Sequence, residues 1–225
     1  MERHIDQGLK ELNNGILKMG IFAEEAISQC IRALKDRDKR MAQSIIDNDI
    51  NVDKLELDID EQCIDMIALY QPMAKDLRII TTGMKINAEL ERIVDIAVDI
   101  AQRTLEVVDQ PMLKPLTNIP QLAIVAQTMV KMSIDAFVNG DIALAKKVLA
   151  SDSEADHLRN IIHKELVEEF MVKDGSTAPR AVQLLLVSRF LERICDHATN
   201  IAEDIIYMVQ AEVVRHHPEK LKNGK

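Results

Sequence analysis

The chain has 225 residues and a net charge of −9, with 47% apolar residues but only 3% aromatic and no Trp. That length suits one large domain or two smaller ones, and the core must be built from Leu, Ile, Val, Ala and Met. The negative charge argues against a nucleic-acid binder, which needs clustered Lys and Arg to neutralise phosphates. Three isolated cysteines without CxxC spacing (Cys30, Cys63, Cys195) read as buried thiols of a reducing cytosol. The N-terminus is polar and no run of about 18 apolar residues occurs, so a cytoplasmic protein is expected, meeting membranes only through partners.

Seven Gly and six Pro are few, which favours long helices. Helical periodicity runs from about Asp6 to Leu34. Asp38 is placed as the N-cap of a second helix, which reaches about Tyr70 and stops at "QP". Pro72 suits the first turn of a third helix ending near Val108. "DQPMLKPLTNIPQ" then carries three prolines, and residues 111–121 read as a linker. A fourth helix from about Leu122 ends at "NG", where Gly140 fits a C-terminal cap, and Asp141 caps a fifth. "KDGSTAP" precedes a sixth, and residues 215–225 look frayed.

The two halves repeat. At an offset of 103, Asp38, Ala42, Asp49 and Asp53 match Asp141, Ala145, Asp152 and Asp156. At an offset of 101, "ELERIVDIAVDIA" (89–101) matches "FLERICDHATNIA" with eight identities in thirteen positions. The fold class is therefore all-α: two tandem three-helix bundles side by side, over residues 1–110 and 122–214.

The repeated phrase sets a polar oxygen at every fourth position. At about 100° per residue, Glu91, Asp95 and Asp99 share an arc of about 80°, with Cα atoms roughly 6 Å apart. Glu192, Asp196 and Asn200 repeat the stripe. Aligned carboxylates repel by a few tenths of a kcal/mol per pair, and a bound cation would reverse that sign. Oxygen ligands suit Mg²⁺, Ca²⁺, Mn²⁺ and iron. A solvated acidic face flanked by Arg92 and Arg103 explains the same spacing, and the spacing does not choose between the two. Helix two adds Asp49, Asp53, Glu56 and Asp60 within an arc of about 60°; their counterparts are Asp152, Asp156, Arg159 and His163. Asp53 and Asp156 would complete a cluster if the stripes of helices two and three face each other.

An enzymatic reading has thin support. "EADH" (Glu154, His157) fits the Glu-x-x-His spacing of ferritin-like di-iron proteins once, but its counterpart is Asn51 with Lys54. Gly-rich phosphate loops and HExxH are absent from the sequence. His157, His163 and His197 read as surface or packing histidines. Cys195 falls in an apolar slot held by Val94 in the first repeat, which makes it a poor nucleophile.

"LKMG" (17–20), "QPMAKDLR" (71–78), "ELERIVDIAVDIA" and "FLERICDHATNIAEDIIYMVQAEVVRH" together resemble the PhoU family of phosphate-signalling regulators, across nearly the whole chain and both repeats. The resemblance implies multinuclear clusters of divalent or trivalent metal ions (Fe, Mn, Mg or Zn) on Glu91, Asp95 and Asp99 and on Glu192, Asp196 and Asn200. Asn200 stands where the first repeat has Asp99, so equal affinity at the two sites is not implied. It also implies a non-enzymatic negative regulator of the phosphate-specific ABC transporter and of the phosphate-starvation two-component signal. The implied partners are the transporter's ATPase subunit, the phosphate-sensing histidine kinase and a second copy in a homodimer. The alternative from another class is a carboxylate-bridged metal enzyme or metal store on a helical bundle.

Overall fold

A computed structural model of the chain describes residues 4–213. Six long helices run in the order α1 (His4–Asp36), α2 (Lys39–Tyr70), α3 (Lys75–Val107), α4 (Asn118–Asn139), α5 (Ile142–Lys164) and α6 (Ala178–Gln210). The described residues contain no strand. α5 runs on through a π-helical stretch, Glu165–Met171, before a short 3-10 turn at Gly175–Thr177.

The polar punctuation acts as the sequence predicts. The Asp38 carboxylate accepts hydrogen bonds from the Arg40 and Met41 amides, and Asp141 accepts one from Leu144, so both repeats cap their second helix with the same residue type. Gly140 ends α4 in the left-handed region (φ 61°), which a Cβ would disfavour. Two boundaries differ. α3 starts at Lys75, leaving Pro72 in the preceding turn, because Gln71 and Ala74 both adopt positive φ to reverse the chain and no helix can begin inside that reversal. α4 starts at Asn118 rather than Leu122; Pro120 sits in its first turn, where its missing N–H is not needed. The frayed tail lies outside the described residues.

The linker is fastened down. Arg37 donates to the carbonyls of Val108 and Gln110, Lys39 pairs with Asp109, Arg180 donates to the Pro111 carbonyl, and Lys114 pairs with Glu165 on the π-helical stretch.

Within each unit the three helices pack on one another, and equivalent helices then meet across the joint: α1 on α4 and α3 on α6. A single aliphatic core runs through both units, including Leu12, Ile86, Leu90, Leu122, Val187 and Ile201. At Gly20 the α1 backbone comes so close to α4 that an added Cβ would lie 2.3 Å from the Ile134 Cδ1. The α3–α6 seam is antiparallel and carries a polar line: Arg78 Nε donates to the Met208 carbonyl (3.2 Å), and Lys85 Nζ lies 2.9 Å from Asp204 Oδ1. The three cysteines are free and buried. Burial pushes the Cys63 thiol up to about 12, and Cys30 and Cys195 higher still, so all three stay protonated at neutral pH.

Candidate functional site

Burial of the apolar faces of α2 and α3 fixes the rotation of both helices, and with it the direction of their acids. Asp49, Asp53 and Glu56 on α2 come to face Glu91 and Asp95 on α3. The electrostatics make the grouping plain. The Asp49 carboxyl is pushed up by burial and then by the charges of Asp53 and Asp95. Glu91 is pushed up by burial and then by Asp95, with Glu56 and Asp53 adding to it and Arg92 opposing. Glu56 is raised by burial, then by Asp60 and Asp53. Asp60 also accepts a hydrogen bond from the fully buried Asn87 (3.2 Å), which ties the lower end of the cluster to α3.

The second unit repeats the arrangement. Asp152 is raised by burial, then by Asp156 on its own helix and Asp196 on α6. Glu192, itself buried, is raised by burial and then by Asp196 and Asp156, against Arg189 and Arg159. Asp53 and Asp156 thus stand beside the acids of α3 and α6, as the facing-stripe expectation requires.

Guanidinium groups lie among these carboxylates. Arg92 Nη1 is 2.9 Å from Asp95 Oδ2, and its Nε is 3.4 Å from Glu91 Oε2. In the second unit Arg159 reaches from α5 to Asp156 (3.1 Å) and to Glu192 (4.0 Å), while Arg189 Nη1 sits 2.7 Å from Glu192 Oε2. Among the described residues, no three His, Cys, Asp or Glu side chains converge on one point as metal ligands in this conformation. The donor set nonetheless fits a hard cation. Asp49 lines a narrow pocket with Phe22, Glu25, Gln29 and Val94, and its buried Oδ1 accepts no hydrogen bond. A buried carboxylate oxygen in that condition is costly unless a cation approaches it.

One expected member, Asn200, makes its hydrogen bond elsewhere. Asn200 Nδ2 donates to Glu89 Oε2 on α3 (3.2 Å), and His197 Nδ1 lies 2.6 Å from the same oxygen. Asn200 is thereby turned to the seam between the units. Asp99 lies one turn beyond Asp95 on α3 and is half-buried. His157 and His163 are exposed, whereas His197 is half-buried in the seam. Spacing sets Asp49 on the helix-two stripe and Asp152 at its counterpart without naming either as a ligand, and it does not bring Arg189 to the site. The repeat match of Asp49 with Asp152, and the three-residue spacing of Arg189 to Glu192, were the available signals. Glu89 had none, since only the packing of α3 on α6 gives it a role.

The chain matches the family model for the PhoU domain twice, over residues 16–104 and 119–205, one match per bundle. A phosphate-specific transport system accessory protein PhoU homolog of Aquifex aeolicus is 39% identical over 214 residues, covering 95% of this chain and 96% of that protein. The accessory protein PhoU of Escherichia coli is 34% identical over 208 residues, covering 92% and 86%. The crystal structure of PhoU from Pseudomonas aeruginosa superposes with a TM-score of 0.88 at 32% identity, covering 93% of this chain and all of that one. With both bundles matched and relatives similar end to end, the chain belongs to the PhoU family.

Proposed function

We propose that the protein is a metal-binding, non-enzymatic adapter that works in the cytoplasm as a negative regulator of phosphate uptake and of the phosphate-starvation signal. Family membership supports the phosphate-transport setting, because the relatives are named as accessory proteins of the phosphate-specific transport system. Among the described residues no helix is long and apolar enough to cross a membrane, so contact with a transporter would run through protein surfaces. The expected partners are the transporter's ATPase subunit and the phosphate-sensing kinase, with a homodimer as the working form. Loss of the gene should leave alkaline phosphatase induced in phosphate-rich medium.

The observation that carries the metal reading is the recurrence of facing carboxylates at matching places in both units, with Asp49 Oδ1 buried and without a donor. The first centre would be held by Asp49, Asp53, Glu91 and Asp95, and the second by Asp152, Asp156, Glu192 and Asp196. A cation there neutralises charge and ties the second helix of a bundle to its third, and no reaction is required of it.

Asp95→Asn with Asp196→Asn tests this. In excess chelator the double variant should be slightly more stable than the parent, because repulsion within each cluster is relieved. With Mn²⁺ or Fe²⁺ supplied it should be less stable, since a ligand bound only by the folded state raises stability by mass action. The sign of the difference should invert between the two buffers. A parent and variant that bind equal metal and melt together in both buffers would overturn the metal reading.

A further inference from the structure

α2 carries a second stripe, apolar and outward-facing. Ile50, Leu57 and Ile64 recur at seven-residue spacing and are 71%, 65% and 57% exposed. At about 100° per residue they share an arc of about 40°, immediately beside the arc of Asp53 and Asp60. Large aliphatic residues repeated every seven positions on one side of a helix make the seam by which a helix takes up another helix.

The internal repeat supplies a control. At the offset of 103 the same positions hold Ser153, Asn160 and Val167, the first two polar and exposed and the third half-buried. The second bundle therefore folds with polar side chains in two of these three slots, and the large, exposed aliphatic residues at all three in the first unit answer to something outside the fold.

Charge selects the occupant. Residues 47–65 hold eight carboxylates and one basic residue, Lys54. Asp53 and Asp60 border the stripe on one side, and Glu61 and Asp65 on the other. We propose that this face docks an amphipathic helix of a partner protein, with an apolar heptad seam bordered by Lys and Arg. A second copy of α2 would set carboxylates against carboxylates along both borders, and an anionic lipid surface would be repelled in the same way.

A fluorescein-labelled synthetic helix with Leu at the a and d positions and Lys at e and g serves as the probe, beside a control with Glu at e and g. Fluorescence anisotropy is read in excess chelator, so the result does not depend on the metal reading. The Lys helix should bind the parent, and the Glu helix should not. Leu57→Asn, which copies the second repeat and leaves every charge in place, should weaken binding about tenfold, and Ile50→Ser with Leu57→Asn further. Melting temperature and circular dichroism should be unchanged in the single variant. Binding within about twofold of the parent in both variants would overturn the proposal, because charge alone would then explain the affinity. It would equally be overturned by binding of the Glu helix, by a dimer that the variants dissociate, or by variant-sensitive binding to phosphatidylglycerol vesicles.

Discussion

The first acidic cluster has six carboxylates around one arginine, whereas the second has four around Arg159, Arg189 and Arg193. The backbone geometry behind them is the same phrase written twice. The difference comes mainly from two α2 positions: Glu56 and Asp60 are replaced in α5 by Arg159 and His163. In the first unit the only guanidinium comes from α3 itself, and Arg92 is well exposed. In the second, Arg159 reaches from α5 to within 4.0 Å of the buried Glu192 on α6. If the proposed cations bind here, their affinity would be set without moving a helix, by whether the chain supplies its own positive charge.

The largest effect should come from exchanging those residues. Glu56→Arg with Asp60→His gives the first cluster the carboxylate count of the second, and its affinity for Mn²⁺ should fall about 100-fold. Arg159→Glu with His163→Asp should raise the second toward the first. Metal stoichiometry measured during titration would show the two sites converging in each case. If both sites keep their original order, the local charge count is not what sets them apart.

A smaller effect should appear with pH. In chelator, the raised carboxyls hold their protons more tightly when folded than when unfolded. Their contribution to stability is therefore present at low pH and is lost as pH rises from the ordinary carboxylate range, about 4, through the raised folded values. Glu91→Gln should flatten that fall, so its melting temperature gains on the parent as pH rises above the ordinary carboxylate range. Glu192→Gln should show less gain, because Arg189 already compensates the charge it removes. With metal present the parent's trend should reverse, since the ligands must lose their protons to bind.

How much of this was legible in sequence follows from what a helical wheel can and cannot encode. The repeat makes the stripes of Asp53 and Asp156 coincide in both units, but that they lie beside the acids of α3 and α6 depends on helix packing, which a wheel does not encode. Asn200 was grouped with Glu192 and Asp196 because the four-residue spacing is regular. That spacing drifts about 40° per step, so two steps carry Asn200 about 80° round α6, from the α5 side to the α3 side. Only the packing of α3 on α6 decides that this rotation ends on Glu89. Pro72 was put one element too late for a related reason. Its fixed φ suits a first helical turn, but the positive φ of Gln71 and Ala74 is a property of the reversal and leaves no composition signal.

The smallest expected effect belongs to Arg92. Arg92→Gln should destabilise the metal-free protein by a few tenths of a kcal/mol, because an exposed guanidinium is screened by water and salt. High salt should erase the difference. With metal bound the same change should cost nothing or raise affinity, since a competing cation has gone. A loss larger than 1 kcal/mol in chelator would mean that Arg92 is a structural strut rather than a counter-ion.

The joint between the bundles has a consequence for how such a chain can be taken apart. α1 meets α4 through a glycine, and α3 meets α6 along its whole polar line, so neither bundle presents a finished surface to water when alone. The tether at residues 111–117 contributes anchoring bonds and only two half-buried side chains, Leu113 and Leu116, to the edge of the core. Severing it would therefore leave two fragments that still need each other, and halves made separately would seek each other out.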